Sequence, residues 1–191
     1  MSAPPQLETS RLILRPWRES DRAPFAAINA DPAVMTYFPA LMTREESDAA
    51  LARFQAAYDR DGFGFLGAEL RTTGEFAGII GAQTMRDAVP NLPQPAVEIG
   101  WRLPHAMHRQ GLATEGARAT VDFCFRTLNL HEVVAVTALG NSASRRVMEK
   151  LGMTYRSDLD FNHPRMPAGH AHQRHALYQL LNQPQRTSTD N

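Results

Sequence analysis

Residues 96–140 restrict the fold more than any other stretch. Over 96–103 the chain alternates, with Val97, Ile99, Trp101 and Leu103 on one face of an extended segment and Glu98, Gly100 and Arg102 on the other. Pro104 ends that strand. A polar, basic turn, His108-Arg109-Gln110-Gly111, then runs into Ala117, Val121, Cys124, Phe125 and Leu128 at helical spacing. The valine-rich stretch after it, residues 132–138, reads as a strand buried on both faces. A strand, a helix and a second strand in that order imply a crossover and parallel pairing. The segments on either side read as strands joined by turns, which pair antiparallel. The expected class is α+β: a mixed, mostly antiparallel sheet of about seven strands with helices on both faces.

The rest of the chain fits around this unit. Residues 7–17 hold Leu12, Ile13 and Leu14 before Pro16 and predict a first strand; residues 20–29 predict a short helix capped by Ser20. Thr43 and Glu46 form a capping box that opens a helix to about Arg60, with Leu51, Phe54 and Tyr58 on one stripe. Residues 63–70 and 75–83 predict a hairpin closed by Arg71-Thr72-Thr73-Gly74. The proline-rich stretch 85–95 is a loop, either a connector or a lid over substrate. Gly116 interrupts a helix, which calls for a close approach of ligand or strand. Residues 142–151 predict a helix with Ala143, Val147 and Leu151 four apart, stopped by Gly152. Residues 153–159 and 171–180 predict the last strands. A single domain over 7–181 is expected, with flexible ends at 1–6 and 182–191.

Composition excludes several classes. Twenty basic and twenty acidic residues give no net charge, so neither nucleic acid nor a membrane surface is an expected partner. No apolar run approaches the ~18 residues of a membrane span, and the first residues lack the pattern of a secretory leader. The single cysteine, Cys124, fits a reducing cytoplasm and reads as an inert core residue. Four histidines, His163, His170, His172 and His175, crowd one stretch. They are read as surface or loop residues before cleft lining, and no metal is expected because no cysteine or acid joins them.

The turn after Pro104 has the makings of an anion seat. A helix start leaves main-chain N–H groups without partners at the positive end of a dipole, and a glycine lets a ligand come close. The alternatives are an ordinary strand-to-helix turn and, more weakly, a nucleotide-phosphate module, for which no Gly-Lys-Ser/Thr loop is present.

Three motifs in sequence, Glu98-Ile-Gly-Trp101, the run from His108 to Glu115, and the run from Asn141 to Met153, resemble the core of a GNAT acetyltransferase. The opening from Thr9 to Trp17, with Asp21, is similar to the Rim-type branch that acetylates ribosomal-protein N-termini. The resemblance implies an N-acetyltransferase that moves an acetyl group from acetyl-CoA to a primary amine, without metal. It implies a protein or peptide α-amine as acceptor, with a small amine, amino acid or antibiotic as the alternative, and a monomer or homodimer. It assigns His108, Arg109, Gln110, Gly111, Leu112, Ala113 and Thr114 to the pyrophosphate, Asn141 and Ser144 to the pantetheine arm, and main-chain N–H groups near Trp101, Arg102 and Leu103 to the oxyanion. Asn141 can also serve as a helix cap. Glu98 is the candidate base, or else a structural partner of Arg102; Glu69 is a weaker candidate. Many relatives have a tyrosine acid where this chain has Met148. That leaves Ser144 or water to protonate the thiolate, Tyr155 being a poorer candidate, and keeps open a non-catalytic acyl-CoA sensor.

Overall fold

The computed structural model describes residues 6–85 and 89–182, so most of both expected flexible ends lies outside the described residues. The chain enters on a tight hairpin, β1 (Leu7–Glu8) and β2 (Leu12–Arg15), instead of the single strand expected over 7–17. Thr9 causes the reversal: its hydroxyl accepts the Leu12 N–H at 2.9 Å while its own N–H donates to Leu12 O at 2.9 Å. A 3-10 turn (Glu19–Asp21) precedes α1 (Arg22–Asn29), which therefore starts later than a cap at Ser20 predicts. The Asp21 carboxylate closes that turn by accepting the Arg18 N–H at 2.8 Å, and Ser20 stays exposed.

A one-turn helix, α2 (Pro32–Met35), starts at Asp31, whose carboxylate accepts the Ala33 N–H. The capping box of α3 (Arg44–Asp61) forms as expected, with Thr43 and Glu46 exchanging hydrogen bonds of 3.2 and 2.8 Å. β3 (Phe65–Leu70) and β4 (Phe76–Thr84) make the expected hairpin, and β5 (Val97–Arg102) pairs antiparallel with β4 over its whole length. Then follow α4 (Leu112–Arg126), β6 (Glu132–Ala138), α5 (Ser142–Lys150), β7 (Thr154–Tyr155), β8 (Phe161–Asn162) and β9 (Arg174–Leu181). The strand expected over 153–159 shortens to β7 because Leu159 N–H closes a 3-10 turn on Arg156 O.

The sheet runs β1-β2-β3-β4-β5-β6-β9-β7, with β8 also on β9. β5–β6 is parallel and every other described pair antiparallel. Among the described residues the count is nine, close to the seven or so expected; β1, β7 and β8 are two-residue strands that carry no alternation to read.

Alternation assigns the two faces. Leu66, Ile80, Ile99, Val133 and Tyr178 look toward α4 and α5, and Phe65 and Ile79 look the other way, against α1 and α3. Farther along that second face, Val134 and Leu177 are covered by Val89, Leu92 and Leu159; of the loop expected over 85–95, residues 86–88 lie outside the described residues, Val89 and Leu92 anchor it to the core, and residues 93–95 are exposed. β6 is buried on both faces as its composition predicts: Val133, Val134 and Ala135 are all fully enclosed. Gly116 is explained by helix-to-strand packing, since a Cβ there would lie 2.5 Å from Ile80 Cδ1. α5 is rotated from its expected stripe: Met148, not Ala143 or Val147, is the side chain it buries.

Candidate active site

β5 and β6 start as neighbours and then part. Their pairing is registered at Glu98 opposite Val134, whereas β5 stays paired with β4 to Arg102 and β6 with β9 to Ala138. Beyond that register the edges 99–102 and 135–138 do not pair with each other, and of the β6 carbonyls there Ala138 O accepts the Asn141 N–H at 2.9 Å. An extended, amide-bearing chain could pair with such edges as an added strand does.

At the far end of β5 the chain makes a second 3-10 turn (His105–Met107) and enters α4. Side chains brace this turn from within. The His108 ring lies 3.0 Å from Leu103 O, the Gln110 amide donates to Ala106 O at 2.8 Å, and the Arg11 guanidinium donates to Gln110 O at 2.8 Å. Arg109 and Gly111 have φ of 61° and 80°, and the glycine takes this without strain. The first helical bond runs from Glu115 N to Gly111 O, so the N–H groups of Leu112, Ala113 and Thr114 have no helical acceptor. Gly111 offers no side chain to cap them. A shallow hollow of about 500 Å³ beside Gly111 and Thr114 is walled by Arg118 and Lys150 together with Glu115 and Asp122. What remains free for an anion is thus main chain, while His108 and Gln110 are spent on holding its shape.

Glu115 ends the run that begins at His108. It is the anchor of the turn: its carboxylate accepts from the hydroxyls of Thr9 and Ser10, the Arg11 N–H and the Arg11 guanidinium, at 2.6 to 3.0 Å. Partial burial pushes this carboxyl up, but the Thr9 hydroxyl and the two Arg11 bonds outweigh it and hold the pKa down to about 2. The available signal was electrostatic: an acid in the first turn of an anion-binding helix needs a cation to neutralise it.

Asn141 and Ser144 sit where β6 turns into α5, at the same end of the parallel pair as the 108–114 turn. The capping alternative for Asn141 is realised, since its carbonyl accepts the Ser144 N–H at 3.1 Å and its amide donates to Thr137 Oγ1 at 3.0 Å. Each end of the amide retains capacity for one more bond. Met148 is 2% exposed, packed beside Cys124 and Ile99. Tyr155 donates its hydroxyl to Asp160 at 2.7 Å and stacks on Tyr178.

On the opposite face, β5 carries Glu98, Gly100 and Arg102, each half-buried, with the Phe65 ring lying over Gly100. Arg102 does not pair with Glu98. It donates to Asn29 Oδ1, and its guanidinium lies 4.1 Å over the Phe38 ring. Burial and the nearby charge of Arg165 push its pKa down to about 10, so it stays cationic at neutral pH. Glu69 is held elsewhere, by Arg15 at 2.7 Å and Arg18 at 2.6 Å, in a cluster completed by the nearly buried Arg15–Asp21 pair. Both guanidinium groups bind the same oxygen, Glu69 Oε2.

Tyr37, just beyond α2, reaches across to donate to Gly140 O at 3.2 Å and packs its ring against His172. His163 and His175 lie ring against ring beside Phe161, and burial pushes the His175 ring down from its ordinary pKa. The histidines are thus split between the Tyr37 contact and the β8–β9 pair, and among the described residues no three metal-ligating side chains converge.

Comparison with known proteins agrees with this architecture. A family described as the acetyltransferase (GNAT) domain matches residues 11–154. The uncharacterized protein YkkB of Bacillus subtilis is 33% identical over 156 residues, 81% of this chain and 88% of that protein. A GNAT-family acetyltransferase from Bacillus anthracis superimposes with a TM-score of 0.76 at 24% identity, covering 93% of this chain and 98% of that one. Mycobacterium smegmatis RimJ, solved in complex with CoA-disulfide, superimposes with a TM-score of 0.70 at 21% identity, covering 93% and 88%.

Proposed function

The chain belongs to the GNAT acetyltransferases, and from that premise we propose that it transfers the acetyl group of acetyl-CoA directly to the α-amine of a peptide or protein N-terminus. The observation that carries this is the α4 start: three main-chain N–H groups without acceptors, on a braced turn, at the open end of the parted β5 and β6. The pyrophosphate rests on that turn, with Arg109 at its rim, and the pantetheine arm lies between the strands as an extra extended chain beside Asn141.

In the reaction the amine nitrogen forms a bond to the thioester carbon and the carbon–sulfur bond breaks. The nitrogen gives up a proton, to Glu98 directly or through water. A main-chain N–H between Trp101 and Leu103 receives the transient oxyanion. The departing sulfur takes a proton from Ser144 or water. Met148, enclosed in the core and lacking a proton to give, plays no part. A thiol of pKa about 8.5 leaves adequately without a dedicated acid. Near pH 7 an α-amine of pKa about 8 is roughly one-tenth neutral, against about one part in 2,500 for a lysine at about 10.4, which favours the terminal amine as acceptor. The Rim-type opening around Thr9–Trp17 supports the same class, and its Arg11 is the residue that tethers the donor turn.

The test is incubation with acetyl-CoA, a peptide library and a set of small amines, with products identified by mass. N-terminally acetylated peptides are expected. Acetylation of small amines alone would move the acceptor class, and tight CoA binding with no product on any amine would favour the sensor.

A further inference from the structure

We propose that Arg102 selects the acceptor by binding a carboxylate that the substrate carries within a few bonds of its α-amine. The inference rests on the acetyl-transfer reading and narrows its substrate class.

Arg102 stands on the same face of β5 as Glu98, and both are half-buried. Its Nη1 donates to Asn29 Oδ1, and Asn29 is fixed in turn by donating to Ser47 Oγ at 2.9 Å. Phe38 covers the guanidinium plane. Nε has no hydrogen-bond partner and no contact with solvent, and Nη2 bonds to no described residue. Arg102 has no carboxylate within 4.0 Å among the described residues, whereas the nearly buried Arg15 has Asp21 at 2.8 Å and Glu69 at 2.7 Å.

A desolvated cation without an anion is unfavourable, and a second positive group, Arg165, sharpens the imbalance. Nη2, which bonds to no described residue and is not enclosed as Nε is, can donate to a carboxylate oxygen. Arg102 lies four residues from Glu98, about 13 Å along the strand. Both residues stand on one face of β5. An amine presented near Glu98 would carry a carboxylate a few bonds away toward Arg102, either its own or that of the first or second side chain of a peptide.

The test uses the full chain and matched acceptors: glutamate and glutamine as free amino acids, and peptides with Glu or Gln at position one or two. Their kcat and KM are compared in the wild type and in Arg102→Gln, with circular dichroism as the folding control. The expected result is at least a tenfold lower KM for the acidic member of the favoured pair, and loss of that preference in the variant. The two kinds of acceptor separate a free amino acid from a peptide as the source of the carboxylate. Equal KM for acidic and neutral acceptors in the wild type, or an equal loss on both in the variant, overturns the inference while leaving acetyl transfer intact. If no amine is acetylated, the acetyl-transfer reading fails, and titration of the ¹⁵N-labelled wild type decides the carboxylate separately. A saturable shift of the Arg102 Nε–H signal with glutarate supports it; no shift, or a shift with inorganic phosphate alone, overturns it. That measurement also decides if the variant does not fold.

Discussion

Glu115 places a negative charge in the first turn of a helix whose start is to receive an anion, and Arg11 with the neighbouring hydroxyls cancels it. Its folded pKa of about 2 lies below the ordinary 4.5. The stability it contributes is present above about 4.5 and is lost as pH falls toward 2. Solvent screening reduces that contribution to the order of 1–2 kcal/mol. Urea unfolding of wild type and Glu115→Gln should therefore differ by roughly that amount at pH 6, the gap closing as the pH is lowered to 3. Glu98→Gln makes a different prediction: kcat falls about 10²–10⁴-fold and the acidic limb of the pH profile disappears, with folding preserved. The candidates readable in the sequence, Glu98, Asn141 and the 108–114 run, were those whose residue type and neighbours announced a chemistry. The Arg11–Glu115 tether spans 104 residues and the Arg102–Asn29 bond 73, so no local spacing could reveal either.

Among the elements, legibility followed how strongly the chain punctuates itself. The Thr43–Glu46 box and Pro104 marked boundaries that the structure keeps, because each acts on its own backbone. The boundaries that moved depend on side chains competing for main-chain groups: Thr9 folding 7–17 into a hairpin, Asp21 delaying α1, and α5 turning Met148 inward. At the start of α4, function and stability separate. Gly111 has a positive φ and meets only the tip of Arg11 at 3.4 Å. Gly111→Asp should weaken coenzyme A binding at least tenfold, by placing a like charge at the phosphate seat, while unfolding shifts by about 1–2 kcal/mol from the strained backbone. Calorimetric titration set beside thermal melting checks this, and equal loss of binding and folding would take the turn out of the site.

Across the whole molecule, the crossover predicted from residues 96–140 fixed the one parallel pair, while the insertion of β9 between β6 and β7 had no counterpart in local pattern. The parting of β5 and β6 belongs to this scale as well. Acetyl-CoA should slow amide hydrogen exchange selectively over 99–102 and 135–138, and raise the melting temperature as any ligand specific to the folded state does. Protection spread evenly through the sheet would argue against a donor lying between the strands. Cys124 has a further effect. It is the chain's one sulfhydryl, fully enclosed, and burial raises its pKa to about 12. A mercaptan-titrating dye added to the native protein should therefore register no equivalent from the polypeptide, so colour that grows during turnover counts released coenzyme alone. The same dye in denaturant should read one equivalent per chain, so a single reagent tallies both reaction events and molecules whose interior has come open.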